Sequence, residues 1–355
     1  MEHGDATSPS GAADNRDRAW AAPVGAWGSM NATIVVATYN RAGMLDECLG
    51  SLVRQEVPAP VAWEILVVDN NSTDGTRDVV AGWTGRAPIP VRYAFEPRQG
   101  KSHALNAGIA QARGAMLAFT DDDVVVPTEW VSTTIATLDR WKADVVGGRI
   151  LPRWEHAPPS WLAANRELWG ALALNDFAGV HVHTVPYMGP GHVWGANMAC
   201  RRSVFDRIGG FNTALGPIGA LAYKHEDVDL VRRAVSAGLR VVYDPAIRVF
   251  HRVPRARMTW RYMCRWHWLF GESRAFQSGA RPGRRHLLGM PGWGCRVAAR
   301  LLARWTWQRG RRSPDAAALQ LELMEALGTL RGYQKLWLLE RRGQRSSGAL
   351  RARER

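Results

Sequence analysis

The stretch AMLAFTDDD, residues 115–123, places three adjacent carboxylates directly after a run of mostly apolar residues. A short, nearly continuous apolar run is typical of a strand buried in a parallel sheet with helices on both faces. Adjacent carboxylates repel one another unless a cation neutralises them, and ligands of open α/β sheets bind beyond the carboxyl ends of the strands. The stretch therefore predicts either an Mg²⁺ or Mn²⁺ site shared with substrate phosphates or a solvated acidic turn that caps the next helix.

Apolar runs alternate with helical patterns on both sides of this stretch. The expected strands are 33–38, 63–69, 91–95, 115–120 and 144–150, and the expected helices between them are 43–55, 74–83, 102–112 and 128–141. Farther on, the sequence predicts loops over 152–190, strands at 193–201, 240–243 and 248–250, and helices at 226–237, 258–277 and 314–342. This alternation predicts an α/β, Rossmann-like fold with a mostly parallel sheet flanked by helices.

Polar side chains also close the first two expected strands. Thr38 ends the first strand and Asn40 lies just after it, and Asp69 ends the second strand. Because the carboxyl ends of parallel strands meet at one edge of a sheet, we expect these side chains beside Asp121. Together they predict a nucleotide site, although each one alone is also a common helix-capping residue.

Three further candidates lie more than a hundred residues downstream. Glu226 and Asp227 begin an expected helix, where the helix dipole favours carboxylates. They predict either that structural role or a general base beside an acceptor site built of loops. His251 follows the expected strand at 248–250, where a single histidine is ordinarily structural but is also a candidate third metal ligand.

Charge is spread unevenly along the chain. The formal net charge is +14, and residues 251–355 alone carry +17, with 23 Lys and Arg against 6 Asp and Glu. The same segment contains seven tryptophans. It predicts either a solvated arginine-rich face or a surface that attracts nucleic acid, an anionic membrane or an anionic ligand.

Cysteine spacing and hydropathy indicate where the protein is expected to act. The four cysteines form no C-x-x-C pair, which favours reduced thiols over a zinc site or a disulfide framework. No apolar run is long enough to span a bilayer, and the N-terminus has no apolar signal core. The sequence predicts a cytoplasmic protein that can also dock peripherally on the inner face of a membrane.

Taken in order, several segments resemble glycosyltransferase family 2, whose members have the GT-A fold. The matching segments span roughly residues 32–275 and are VVATYNR (35–41), EILVVDNNSTDGT (64–76), ALNAGIAQARGAMLAFTDDD (104–123), WGANMACRRSVFDRIGGFN (194–212), HEDVDLVRRAVSAG (225–238) and YDPAIRVFH (243–251). Each segment is short, but the ordered set is specific. Tyr262 stands where the processive synthases have the glutamine of their QxxRW motif, so the resemblance implies an inverting, non-processive transferase.

The resemblance implies a role for each candidate. The nucleotide would be held by side chains at the strand ends, namely Thr38, Asn40, Asp69, Lys101, Asp121 and Asp122. The metal, Mn²⁺ or Mg²⁺, would be held by Asp121, Asp123 and His251. Of the D-x-D motif, Asp123 is favoured as the direct ligand, and the alternative for Asp121 or Asp122 is to face the ribose. The donor-sugar and acceptor pocket would be lined by Trp194, Gly195 and Asn197. Asp227 would be the catalytic base, with Glu226 beside it.

The resemblance also implies the reaction and the layout of the chain. The donor would be a nucleoside diphosphate sugar, with UDP favoured, and the acceptor hydroxyl would belong to a glycan, a lipid-linked or a small-molecule acceptor. We expect a disordered tail at 1–30, a nucleotide-sugar-binding half at 31–150, an acceptor and catalytic half at 151–280, and a basic helical C-terminal extension at 281–355.

The sequence leaves two alternatives to sugar transfer. The basic segment leaves open a protein that binds nucleic acid or an anionic membrane on a transferase-like fold, with nucleic acid the less favoured partner. A sugar nucleotidyltransferase would need a glycine-rich loop with an arginine after the first strand, where this chain has TYNRAG at 38–43.

Overall fold

The computed structural model describes residues 30–176, 183–185, 192–218, 221–222, 226–278 and 286–353, the side chains at 183–184, 217–218, 221–222, 277–278 and 342–353 excepted. The tail expected at 1–30 therefore lies almost wholly outside the described residues.

Strands and helices alternate through the first 150 residues, as the sequence predicts. The strands of the main sheet are β1 (Ala32–Thr38), β2 (Trp63–Asp69), β3 (Val91–Phe95), β4 (Met116–Asp121), β5 (Val124–Val125), β6 (Val145–Trp154), β7 (His183–Thr184), β8 (Asn197–Arg201) and β11 (Val241–Val253). Two short hairpins stand apart from it: β9 (Pro217–Ile218) with β10 (Leu221–Ala222), and β12 (His286–Leu287) with β13 (Met290–Pro291).

The α-helices are α1 (Ala42–Leu52), α2 (Thr76–Arg86), α3 (Lys101–Gln111), α4 (Trp130–Arg140), α5 (Ser160–Ala163), α6 (Ser203–Ile208), α7 (Glu226–Ser236), α8 (Trp260–Ser278), α9 (Gly292–Gly310) and α10 (Asp315–Arg353). Two 3₁₀ helices cover Arg166–Leu172 and Arg255–Arg257. The first of these, α5 and the end of β6 lie within the region expected to be loops at 152–190, of which 177–182 and 186–190 are outside the described residues.

The parallel half of the sheet brings three strand ends to one edge. Its order is β3-β2-β1-β4, and every pair in it is parallel. In the register of β1, Thr38 lies opposite Asp69 of β2, and Ala37 lies opposite Asp121 of β4. The polar residues that follow these strands therefore share one edge of the sheet.

The second half of the sheet is mixed. β8 lies antiparallel between β4 and β6, and β11 is parallel to β6. The two short strands expected at 240–243 and 248–250 are one 13-residue strand, because β11 continues through an irregularity between Tyr243 and Arg248. The end of β11 pairs with β5, with His251 opposite Val124.

Apolar side chains cover both faces of the sheet. On one face α1 and α4 contribute Leu45, Leu49, Trp130 and Leu138 to one buried cluster. On the other face α3, α6 and α7 contribute Ala104, Leu105, Val204 and Leu230 to a second cluster. Burial on both faces explains why the strand sequences are nearly continuously apolar.

The C-terminal extension is helical, and its last helix packs on α8. The helix expected at 314–342 continues to Arg353, and its Leu319, Leu323 and Leu330 are buried. Glycines allow close contact with α8: a Cβ built on Gly328 would lie 1.9 Å from the carbonyl oxygen of Trp268. No helix among the described residues combines the length and the apolarity that crossing a bilayer requires.

Candidate active site

A cavity of about 520 Å³ opens at the edge of the sheet where β1 and β4 end. Its walls include Thr38, the residues of the acidic stretch, Lys101 and the start of α7. The remaining walls come from Trp194, the first 3₁₀ helix and α8. The topology thus gathers in one cavity carboxylates that lie more than a hundred residues apart in the chain.

Asp122 is held inside the protein by β1 and the residues that follow it. Its carboxylate accepts hydrogen bonds from the Thr38 hydroxyl at 2.8 Å and from Arg41 Nη1 at 2.9 Å. Asp122 is 3 % exposed, and burial together with the neighbouring Asp123 raises its pKa to about 6, against the opposing charge of Arg41. Both oxygens are thus engaged by the protein, which favours a positioning role for Asp122.

Asp121, Asp123 and His251 form a group that could hold a metal ion. One ligand atom from each lies within 4.8 Å of the other two. Asp123 Oδ1 is buried without a hydrogen-bond donor, 3.2 Å from His251 Nε2. Burial disfavours the ionised form of Asp123, but the charges of His251, Arg41 and Arg257 outweigh it and lower the pKa of this carboxyl. A buried carboxylate oxygen without a donor, beside an imidazole nitrogen and a second carboxylate, fits a divalent cation such as Mn²⁺ or Mg²⁺.

Backbone pairing fixes this group. Asp123 directly precedes β5, and its carbonyl oxygen accepts from the Arg252 N–H at 3.0 Å. Because β5 and β11 pair here, His251 and Asp123 are neighbours although 128 positions separate them in the sequence.

Lys101 bridges two parts of the cavity. Its ammonium group donates to Asp121 Oδ1 at 2.5 Å and lies 3.8 Å from Glu226 Oε1. Burial opposes its charge, but Asp121 and Glu226 raise the pKa of Lys101 above its usual value. Burial and the charge of Asp227 raise the pKa of Glu226 to about 7, against the influence of Lys101. Lys101 is therefore positively charged in the cavity, where it could offset the negative charge of a bound diphosphate.

Asp227 is oriented by two backbone N–H groups. Its Oδ2 accepts from Gly195 at 2.9 Å, and its Oδ1 accepts from Val228 at 2.8 Å. A Cβ on Gly195 would contact the Asp227 side chain at 3.4 Å, so a larger residue there would crowd the carboxylate. Asp227 lines the cavity and stands apart from the Asp121–Asp123–His251 group.

Four residues predicted for the site do not line the cavity. Asn40 and Asp69 bind the loop after β2: Asn40 Oδ1 accepts from the Thr73 N–H, and Asp69 accepts from the Ser72 N–H and the Tyr93 hydroxyl. Gly195 lies behind Asp227.

Asn197 lies in β8 and is 1 % exposed. It accepts from the Trp130 indole and donates to the carbonyl oxygens of Arg149 and Ile247. The expectation that Asn197 lines the pocket does not match this position, because its amide is used to join β8 to its neighbours. The other predicted residues, Thr38, Lys101, Asp121, Asp122, Asp123, Trp194, Glu226, Asp227 and His251, all line the cavity.

Several lining residues were given no role from the sequence. Arg41 and Arg257 approach Asp123 at 3.1 Å and 3.8 Å. Tyr262, Trp266 and Phe270 reach the cavity from α8. Arg41 could have been found from its place directly after the polar end of β1, and Tyr262 and Trp266 from their place at the position of the QxxRW motif. Whether these α8 residues reach the cavity depends on how that helix docks.

Comparison with known proteins agrees with the resemblance to glycosyltransferase family 2 that the sequence indicates. The family described as Glycosyl transferase family 2 matches residues 33–209. Glycosyltransferase AglE of Haloferax volcanii is 31% identical over 118 residues, which are 33% of this chain and only 38% of AglE. Succinoglycan biosynthesis protein ExoM of Rhizobium meliloti is 27% identical over 260 residues, covering 72% of this chain and 75% of ExoM.

A solved structure shows the same fold. The mannosyltransferase PcManGT of Pyrobaculum calidifontis, in complex with GDP-Man and Mn²⁺, superposes with a TM-score of 0.52 at 21% identity, covering 91% of this chain and 80% of that protein. Residues 33–209 of the chain are a glycosyltransferase family 2 domain, and the chain has the GT-A fold.

Proposed function

We propose that the protein transfers a sugar from a nucleoside diphosphate donor to an acceptor hydroxyl, with inversion at the anomeric carbon. One observation carries the proposal: a single cavity holds a cation-binding group at the end of β4 and a separately oriented carboxylate at the start of α7. The reaction needs these two functions, stabilisation of a leaving diphosphate and removal of an acceptor proton.

The donor diphosphate is assigned to the edge where β1 and β4 end. Asp121, Asp123 and His251 would hold Mn²⁺ or Mg²⁺, which neutralises charge on a departing diphosphate when it is bound. Lys101 and Arg41 place two further cations at this edge and orient Asp121 and Asp122. Asn40 and Asp69 would act on the nucleotide only indirectly, by supporting the loop that follows β2.

Asp227 is the general base in this proposal. Its two backbone hydrogen bonds fix the carboxylate, so one lone pair can face an acceptor hydroxyl in the cavity. Glu226 would assist by holding Lys101 close to Asp121. The acceptor oxygen, deprotonated by Asp227, would attack the anomeric carbon on the face opposite the leaving diphosphate, and this single displacement inverts the anomeric configuration. Residues 31–150 would then serve the donor and 151–280 the acceptor.

Donor turnover in the absence of an acceptor tests the proposal. Release of the nucleoside diphosphate from UDP-glucose and from GDP-mannose would be measured with Mn²⁺, with Mg²⁺ and with EDTA, for the wild type and Asp123→Asn. We expect the wild type to release the nucleoside diphosphate only with metal, and faster from UDP-glucose than from GDP-mannose. The variant should lose this release. Equal release by both proteins, or release unaffected by EDTA, would contradict the metal-assisted mechanism.

A second proposal concerns the helix α9, which follows the cavity-forming part of the chain. We infer that it docks on an anionic membrane surface. Between Gly292 and Gly310 the helix contains four arginines and no acidic residue. Helical periodicity places six exposed residues on one stripe, here called the docking face: Trp293, Val297, Arg300, Arg304, Trp307 and Arg311. Tryptophan and arginine together suit the boundary between headgroups and acyl chains.

A further inference from the structure

Aromatic side chains form one wall of the cavity, here called the aromatic wall: Trp194, Tyr262, Trp266 and Phe270. The three residues of α8 are spaced four apart and so lie on one face of the helix. The rings of Trp266 and Phe270 are stacked, with 4.7 Å between their centroids and 16° between their planes. Trp194 directly precedes Gly195, whose N–H holds Asp227. The wall therefore begins beside the proposed base.

Small residues of the first 3₁₀ helix and its C-terminal end face this wall. Gly170, Ala171 and Ala173 line the cavity, and none of their side chains can form a hydrogen bond. A Cβ built on Gly170 would meet only the Trp194 ring within 4 Å, at 3.6 Å. The space between the 3₁₀ helix and the aromatic wall is thus left open by small side chains.

Hydrogen-bonding groups are scarce between these two surfaces. The Tyr262 hydroxyl already donates to the carbonyl oxygen of Ala171 at 3.1 Å. Apart from two indole N–H groups and the Tyr262 hydroxyl oxygen, which can still accept, the described side chains of the aromatic wall and of Gly170, Ala171 and Ala173 offer no donor or acceptor. A sugar acceptor buried there would leave hydroxyls without partners, which is costly. An apolar body would lose no hydrogen bonds and would gain contact with aromatic rings.

We propose that the acceptor carries its reacting hydroxyl on an apolar body, an aromatic ring system or an alkyl chain, which packs against the aromatic wall. This inference rests on the proposed transfer reaction. In that reaction the acceptor oxygen forms a bond to the anomeric carbon as the bond from that carbon to the diphosphate oxygen breaks. The hydroxyl proton passes to Asp227, and the nucleoside diphosphate leaves with the bonding electron pair.

Competing acceptors test the inference. Transfer from UDP-glucose and GDP-mannose with Mn²⁺ would be measured to 2-naphthylmethanol, to 1-decanol, and to the polar acceptors methyl glucoside and glycerol. We expect one or both apolar alcohols to be glycosylated and the polar acceptors not to be. The naphthyl and decyl arms distinguish a ring-shaped acceptor from a lipid-like one. Transfer to methyl glucoside or glycerol with none to either apolar alcohol would overturn the inference.

Variants separate the acceptor site from the donor site. Trp266→Ala is expected to raise the KM for the apolar alcohol on the order of tenfold, with a much smaller change in the KM for the donor. Trp305→Ala, the same change in α9 outside the cavity, is the matched control and should keep the wild-type KM. An unaltered KM in Trp266→Ala would count against the aromatic wall.

Gly170→Leu provides a second variant and a readout other than activity. The leucine would fill the space beside Trp194, so calorimetric binding of 2-naphthylmethanol to the Mn²⁺–UDP complex should be lost while UDP binding persists. Binding of the alcohol equal to that of the wild type would overturn the inference. Wild-type protein that neither binds nor hydrolyses any donor would instead refute the proposed function, and this inference with it.

Discussion

At the scale of single residues, the site depends on carboxylates that have different surroundings. Asp227 is oriented by two backbone N–H groups, Asp122 is engaged by Thr38 and Arg41, and Asp123 faces an imidazole with one oxygen free of donors. These surroundings assign the carboxylates distinct tasks. Each task can be removed by a substitution that nearly preserves the shape of the side chain.

Asp227→Asn removes the proposed base while keeping a similar outline. We expect kcat to fall by about 10²- to 10⁴-fold, because general base catalysis is lost, while the Kd of the donor nucleotide stays within a few-fold of wild type. Steady-state kinetics and calorimetric titration of UDP or GDP check both quantities. Asp206→Asn, an exposed aspartate of α6, is the control; an equal fall in kcat there would refute the assignment.

His251→Gln tests the metal group without relying on catalysis. We expect Mn²⁺ to raise the Tm of the wild type, because an ion that binds only the folded state stabilises it, and to leave the Tm of the variant nearly unchanged. Thermal unfolding with Mn²⁺ and with EDTA measures this difference. The exposed His156→Gln is the control and should respond to Mn²⁺ as the wild type does. A full Mn²⁺ response in His251→Gln would exclude this histidine as a ligand.

Glu226 is expected to make stability depend on pH. Its pKa is raised from 4.5 to about 7, mainly by burial, so the folded protein binds more protons than the unfolded chain between these values. Stability from this group is therefore present at low pH and falls as the pH rises from about 4.5 to 7. In Glu226→Gln the fall should be smaller by about 3 kcal/mol.

Urea unfolding of the metal-free wild type and Glu226→Gln at several pH values between 4.5 and 8 measures this difference. Parallel pH profiles of the two proteins would contradict the raised pKa. Asp206→Asn again serves as the control, since its exposed carboxylate should not alter the slope.

At the scale of elements, the sequence predicts what periodicity and local order can encode. The strands β1, β2 and β4 and their polar ends follow from continuous apolar runs. The single strand β11 was expected as two, because Asp244 and Pro245 interrupt the apolar pattern, and only pairing with β6 carries the strand through. Of the aromatic wall only Trp194 was predicted to line the pocket, since the rest of the wall requires the 3₁₀ helix and α8 to approach each other.

Close contact between α8 and α10 links the C-terminal extension to the cavity. A Cβ at Gly328 would lie 1.9 Å from the Trp268 carbonyl oxygen, so the helices must separate in Gly328→Ala. We expect the free energy of unfolding to fall by about 1–3 kcal/mol and the KM for the acceptor to rise, because Trp266 and Phe270 move with α8. Urea unfolding and acceptor kinetics measure both effects.

Gly82→Ala is the matched control for this prediction. Gly82 lies in α2, and nothing lies within 4 Å of a Cβ built there. That substitution should leave stability unchanged or raise it by up to about 1 kcal/mol. Equal stability of Gly328→Ala and the wild type would show that the two helices are not held in close contact.

At the scale of the whole molecule, charge and apolar exposure concentrate in the same third of the chain. Eight of the ten large hydrophobic residues that are exposed among the described residues lie between Leu287 and Leu339. Composition predicted a basic and helical segment, but which side chains face outward depends on how α9 packs against α10. This coincidence of basic charge and exposed apolar side chains supports the proposal that α9 docks on an anionic membrane.

Charge reversal on the docking face tests that proposal. The triple change Arg300→Glu, Arg304→Glu and Arg311→Glu should weaken binding to phosphatidylcholine vesicles containing phosphatidylglycerol by at least roughly a hundredfold, since each basic residue near an anionic surface adds to the affinity. Vesicle sedimentation measures this binding. Arg113→Glu, Arg140→Glu and Arg207→Glu together give the same net charge elsewhere and should bind nearly as the wild type does.

Two outcomes would contradict docking on a membrane through this face. The control triple variant could lose vesicle binding to the same extent, which would indicate attraction by net charge alone. Alternatively, the wild type could bind duplex DNA more tightly than anionic vesicles at equal salt, which would favour a nucleic-acid partner.

The packing of α10 on α8 has a consequence for protein synthesis. Asp121, Asp123, Asp227 and His251 have all left the ribosome before α10 is translated, so the donor side of the cavity can assemble early. The face of α8 that α10 covers stays exposed until α10 has been synthesised, and until then a chaperone could bind this face. A chain that stops ahead of α10 would therefore keep the residues of the metal group but lose the helix that packs against α8, which carries Trp266 and Phe270.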